Sequence, residues 1–159
     1  RRLAAAHAVP VHAAETAAWL HDVSAIIPNG ERLGAARALG VEVLPEEAAL
    51  PMILHQRLSA VLARRAFGVR DEAILSAIGC HTTLRPGASP LDHVVFLADK
   101  IAWDQPGLPP YHAALVAALD ESLEAASLVY LAYLWERRET LPVVHPWLRA
   151  AYAELSARR

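Results

Sequence analysis

Residues 71–83, DEAILSAIGCHTT, decide how this chain is read. Ile74 and Ile78 stand four apart and His81 follows three later, the spacing of a single helical face. An imidazole therefore continues an apolar stripe just where a helix over 71–80 gives way to a polar loop over 81–88. A polar ring on an inward face needs a hydrogen bond, a charge or a metal, because burying it without a partner is costly.

The neighbouring segments repeat that pattern. Upstream, a helix over 52–67 carries Leu54, Leu58, Val61 and Leu62 on one face, with Gly68 after its end. His55 precedes Leu58 by three and Leu62 by seven, so it shares that face. Downstream, Ser89 is a good N-cap, followed by Pro90 at the first helical position and Asp92 three residues after the cap. The helix it opens bears Leu91, Val94, Val95, Ala98 and Ile101 at core spacing, with Asp99 on the flank of the stripe. Earlier still, a helix over 12–27, stopped by Pro28-Asn29-Gly30, carries His21-Asp22 after Ala14, Ala17 and Ala18.

The remaining segments are also helical. They comprise a tail over 1–8 broken near Pro10, short helices over 31–39 and 45–50, one long helical region over 111–138, and a last helix from Pro146 to about Ala157. A Pro/Gly-rich loop spans 105–110. No segment alternates as a strand would, and no repeat or linker divides the chain. The expectation is an all-α helical bundle, with residues 1–159 as a single domain.

Length and composition exclude several classes. At 159 residues and 55% hydrophobic, the chain can bury a core and is not disordered. A formal charge of −2 leaves no electrostatic footprint for a nucleic-acid polymer or an anionic membrane. The richest apolar stretch, 115–135, is interrupted by Asp120, Glu121 and Glu124, so it is not a membrane span. Cys80 is the single cysteine, which fits a reducing, cytoplasmic setting. The chain opens on Arg1-Arg2, without methionine and apparently within a helix, so a truncated N-terminus is expected.

Taken singly, the polar residues have plain explanations. His55 reads as a satisfied core or helix-edge histidine, His81 as a cation at a helix C-terminus, and Asp99-Lys100 as a solvated ion pair. Taken together, His21, Asp22, His55, His81 and Asp99 bring three imidazoles and two carboxylates from four helices, for which structure alone has little use. Mixed imidazole and carboxylate ligation suits iron(II), manganese or zinc, and a carboxylate can bridge two ions. Other candidates are weaker: Cys80 reads as a small core residue, and His12, His93, His112 and His145 as surface or cap residues. Trp103, Tyr111, Tyr130, Tyr133, Trp135 and Trp147 read as packing, although any could stack on a purine.

The order Trp19-Leu20-His21-Asp22-Val23, Leu54-His55, Ala77-Ile78 leading to His81-Thr82-Thr83, and Phe96-Leu97-Ala98-Asp99-Lys100 resembles the YqeK-type HD-domain hydrolases, the symmetrical bis(5'-nucleosyl)-tetraphosphatases. Ser59-Ala60, Phe67-Gly68-Val69 with Asp71-Glu72, and 85–89 (Arg-Pro-Gly-Ala-Ser) match as well. The resemblance covers residues 3 to 125 and implies an HD-domain bundle that splits diadenosine tetraphosphate into two ADP at a di-iron centre. It implies metal ligation by His21, Asp22, His55, His81 and Asp99, with Asp22 bridging, and catalytic roles for Asp22, His55 and His81. A further histidine in that pattern falls upstream of Arg1, and His7 stands too close to replace it. Thr82, Thr83, Arg57, Arg85 and Lys100 are the candidate substrate contacts. The chain departs from the pattern at Ala25, where a lysine is usual, at Gln56, where a glycine is usual, and within Ala102-Trp103-Asp104-Gln105, where an acidic residue and an arginine are usual. These departures keep two alternatives open, an HD phosphohydrolase of another nucleotide or small phosphoester, and a non-catalytic HD-fold binding module. The expected partner is a nucleotide substrate, with no nucleic acid and no membrane; a homodimer stays open.

Overall fold

The computed structural model describes residues 1–103 and 106–158. Asp104 and Gln105, within the stretch that departs from the family pattern, lie outside the described residues. The architecture is all-α, with no strand among the described residues. No described helix is long and apolar enough to cross a membrane.

Among the described residues ten α-helices follow one another: α1 (Arg2–Ala6), α2 (Val11–Leu20), α3 (Arg32–Leu39), α4 (Pro45–Ala49), α5 (Leu54–Arg65), α6 (Glu72–Cys80), α7 (Pro90–Ile101), α8 (His112–Ala118), α9 (Leu123–Glu136) and α10 (Pro146–Ala157). The centre is a stack in which α6 packs between α5 and α7 and α2 lies across α6 and α7. Leu75, Ile78, Val94, Phe96 and Leu97 fill this core, which continues through Leu115, Leu128 and Leu131 into the layer of α8, α9 and α10. A smaller cluster of Ala36, Leu54 and Leu58 seats α3 on α5.

Local chemistry sets the helix that carries Asp99. Ser89 accepts from the Asp92 amide while the Asp92 carboxylate accepts from the Ser89 amide, a reciprocal cap with Pro90 at the first turn. Two expected helices are shorter than their apolar patterns. The helix expected over 12–27 ends at Leu20, and a 3₁₀ turn, Val23–Ile26, follows. The Ser24 amide there donates to Ser59 Oγ (3.1 Å), a tertiary partner that replaces the helical one. The long helix expected over 111–138 is two helices, because Ser122 is extended and its hydroxyl accepts from the Ala125 amide (2.9 Å), starting α9 afresh.

Candidate metal centre

Three of the stacked helices end or begin at one place. His21 directly follows α2, His55 lies in the first turn of α5, and His81 directly follows α6. Each ring makes the same local contact, Nδ1 to the carbonyl three residues earlier: Ala18 at 2.7 Å, Met52 at 2.6 Å and Ile78 at 2.8 Å. A carbonyl can only accept, so Nδ1 carries the proton in each case. In a neutral ring Nε2 then presents a lone pair.

Those Nε2 atoms converge. His55 Nε2 and His81 Nε2 are 3.0 Å apart. Asp22 Oδ1 lies 3.4 Å from His55 Nε2 and 3.5 Å from His81 Nε2, while its Oδ2 lies 3.5 Å from His21 Nε2. Asp99 Oδ1 lies 3.6 Å from His21 Nε2. Donor atoms of His21, Asp22 and His81 all lie within 4.8 Å of one another, the spacing of a metal site. Lone pairs and carboxylates gathered in this way repel unless a cation sits among them, so the donor set fits a divalent metal. Backbone-anchored imidazoles are how proteins commonly present such metals.

Asp22, Asp99 and His55 are held in metal-binding forms, whereas His21 is shifted toward its protonated form. Burial, with the His81 ring next to it, pushes His55 down to about 4, so its ring is neutral near neutral pH. Contact with His81 holds the Asp22 carboxyl below the usual carboxylate range. Burial opposes ionisation of Asp99, but His21 and Lys100 hold its carboxyl well below that range. Asp99 in turn raises His21. Both carboxylates are therefore ionised and His55 is deprotonated, the forms that bind metal.

Hydrogen bonds behind the cluster fix the His81 turn. Gln56 is fully buried; its Oε1 accepts from the amides of Thr82 (3.1 Å) and Thr83 (3.3 Å), and its Nε2 donates to Thr83 Oγ1 (3.0 Å). From the other side, the buried Lys100 ammonium donates to the His81 carbonyl (2.6 Å) and to Asp99 Oδ2 (2.8 Å). Leu84 closes the turn with φ 53, a left-handed conformation uncommon for leucine, and is wholly buried. Gln56, first met as a departure from a glycine, is thus a brace. Nothing local in the sequence signals this, because its partners lie 26 and 27 residues away.

The cluster floors a cavity of about 520 Å³. Of the residues expected to meet substrate, Thr82 and Lys100 line this cavity, and the Thr82 hydroxyl lies 3.0 Å from His55 Nε2. Thr83, Arg57 and Arg85 do not line it. Thr83 is turned inward onto Gln56, Arg57 pairs with the buried Glu47 (2.8 Å), and Arg85 pairs with the buried Asp92 (3.1 Å). Their tertiary partners, invisible in sequence, claim these charges. Of the histidines expected at surfaces or in caps, His145 is a cap, though a buried one, and His93 is buried in the core. His93 pairs with Ser127 (2.8 Å), and His145 caps α10 through Nδ1 while facing Glu47 (3.5 Å). Burial pushes the Cys80 thiol pKa up, so it is an inert core group.

Known proteins are similar to this chain. The HD domain family matches residues 1–104. An uncharacterised protein of the pepC 5' region in Lactococcus lactis subsp. cremoris is 44% identical over 139 residues, 87% of this chain and 70% of that protein. A symmetrical bis(5'-nucleosyl)-tetraphosphatase of Halalkalibacterium halodurans is 29% identical over 147 residues, 89% of this chain and 75% of that protein. Its namesake in Bacillus subtilis is 37% identical over 90 residues, 55% of this chain and 47% of that protein. A solved HD superfamily hydrolase of Clostridium acetobutylicum, described as involved in NAD metabolism, superposes with a TM-score of 0.90 at 26% identity, covering 99% of this chain and 83% of that one.

Proposed function

Because the chain belongs to the HD-domain family of hydrolases, we propose that it hydrolyses a nucleotide phosphoanhydride at a centre of two divalent ions, cleaving diadenosine tetraphosphate symmetrically into two ADP. One observation carries this reading: the two oxygens of Asp22 face different histidines, Oδ1 toward His55 and His81 and Oδ2 toward His21. That is the disposition of a carboxylate shared between two ions. In this reading His21, Asp22 and Asp99 hold one ion and Asp22, His55 and His81 the other. Iron fits the resemblance, and manganese or zinc suits the same ligands. Bound ions of this kind lower the pKa of a coordinated water and polarise phosphoryl oxygens. The chain's own residues orient and position. Nδ1 anchoring aims each imidazole, Lys100 and Gln56 hold the His81 turn, and the Thr82 hydroxyl faces the reacting end of the cavity. The names of the Bacillus subtilis and Halalkalibacterium halodurans relatives support the substrate choice.

A second reading, a smaller nucleotide or phosphoester as substrate, is favoured by the charge of the cavity. Among its described lining residues Lys100 is the single Lys or Arg, and its ammonium is already committed to Asp99 and the His81 carbonyl. Four phosphates would then depend mainly on the ions for neutralisation. Incubation of metal-loaded protein with diadenosine tetraphosphate and a nucleotide panel, with products separated by chromatography, tests both readings. ADP as sole product supports the first. Faster turnover of a mononucleotide supports the second. No turnover of any of them with full metal content removes both and leaves a binding module.

A further inference from the structure

The cavity over the histidines has a second wall that the hydrolytic chemistry does not use. Trp103, Tyr111 and Tyr130 line that cavity and also an adjoining groove of about 430 Å³. Leu108, Tyr133 and three prolines complete the groove, with no charged side chain among its described lining residues. Its volume falls in the range of about 300–1,000 Å³ typical of small-molecule sites.

The groove is rigid on one side and open on the other. Tyr111 meets Tyr130 edge-on at 4.8 Å and Tyr133 at 5.2 Å, and Tyr130 meets Phe96 at 5.5 Å, so the tyrosines lock one another. Trp103 and Leu108 instead leave large apolar surface in solvent, 40% and 69% exposed. Trp103 also stands in the stretch where the family pattern carries charge, so this wall is aromatic in this chain.

We propose that the groove receives the nucleobase and ribose of the substrate, with Trp103 as the stacking platform, while the phosphates lie over the histidine cluster. This rests on the nucleotide reading above. Continuity supports it, since three residues belong to both spaces. Chemical division supports it too, because a nucleotide joins an anionic chain to a flat ring with apolar faces, and these two spaces divide in the same way. The scarcity of cations adds a third argument. With Arg57 and Arg85 paired elsewhere, no guanidinium serves the phosphates, and affinity beyond what the ions supply must come from a part of the substrate remote from the reaction.

Titration calorimetry of the metal-loaded protein with ADP and with inorganic pyrophosphate tests the assignment. The wild-type protein is expected to prefer ADP. Stacking on an aromatic side chain is strong enough that Trp103→Ala should cut that preference by about 5- to 100-fold. Leu108→Asp, at a more exposed position of the same groove, should cut it less. Phe67→Ala removes an exposed aromatic that lines neither space and should leave the preference intact. Equal affinity of the wild-type protein for the two ligands, or equal weakening of both by Trp103→Ala, overturns the assignment. Failure of the hydrolytic reading looks different: diadenosine tetraphosphate is not cleaved, yet the ADP preference persists and depends on Trp103.

Discussion

At the end of α6, the His81 side chain is 2% exposed and its turn is braced twice, by Gln56 on α5 and by Lys100 on α7. At the end of α2, the Asp22 side chain is 53% exposed, and the tertiary hydrogen bonds described for its turn reach the backbone two residues later. There the Ser24 amide donates to Ser59 Oγ and the Ser24 hydroxyl donates to the His55 carbonyl (2.8 Å). The same donor cluster therefore joins a fixed wall to a yielding one. The fixed wall holds ligands in place before anything binds. The yielding wall presents the carboxylate with the most neighbours where substrate can reach it.

The sharpest way to break this comparison is Asp22→Ala. Metal assistance is worth several kcal/mol in such reactions, so turnover should fall at least about 10³-fold. Metal content should fall with it, because both oxygens of Asp22 face the donor cluster. Near-normal metal content and rate would mean that the exposed wall is incidental.

Metal removal should separate the walls without any mutation. An ion present at a hundred times its dissociation constant stabilises the folded protein by about 2.7 kcal/mol. Chelation should forfeit that increment and lower Tm. Hydrogen exchange should then rise across residues 21–26, while the amides of Thr82, Thr83 and Leu84 stay protected by Gln56 and the Cys80 carbonyl. Equal opening of both turns would show that the braces on His81 do not act independently of metal.

Gln56→Leu tests the fixed wall directly. It keeps an apolar side chain of similar size but leaves the Thr82 and Thr83 amides without their acceptor. Buried unsatisfied donors cost about 1–3 kcal/mol, readable by denaturant unfolding. Loss of a group that orients a ligand typically weakens metal binding about 10–100-fold, readable by competition with a chelating dye. Unchanged metal affinity would confine Gln56 to a stability role.

These walls were unequally legible in the sequence. His55, His81 and Asp99 stood out in the sequence because each continues or flanks an apolar stripe, and Ser89-Pro90 marked the start of α7 correctly. The break after Leu20 was hidden, because Ala14, Ala17 and Ala18 carry a helical pattern that only a tertiary contact, Ser24 to Ser59, interrupts. The split at Ser122 was hidden by the apolar run around it, although serine is a favoured N-cap. Gln56 was read only as a departure from a glycine, and Arg57 and Arg85 for what they would offer a phosphate. Their actual partners, Thr83, Glu47 and Asp92, lie 27, 10 and 7 residues away, with nothing in the local pattern to choose them.

The smallest expected effect comes from the support of the yielding wall. Ser59 accepts from the Ser24 amide and donates to Ser24 Oγ (3.0 Å), which itself reaches the His55 carbonyl. Ser59→Ala removes the acceptor of one amide, but the Ser24 hydroxyl keeps its contact with the carbonyl. Two hydrogen bonds are lost and one buried amide is left without its acceptor, about 1–3 kcal/mol, so Tm should fall by roughly 2–12 °C, less than for Gln56→Leu, which strands two amides. Asp22 lies two residues from the affected amide, and its carboxylate is positioned by three imidazoles rather than by Ser59. Metal affinity should therefore fall less than about 10-fold, below the usual effect of losing a group that orients a ligand. The decisive reading is the ranking of the two α5 variants. Gln56→Leu must weaken metal binding more than Ser59→Ala, because its contacts fix the backbone that carries His81, whereas those of Ser59 fix backbone beyond Asp22. The reverse order would make the Asp22 turn the rigid element and invert the comparison.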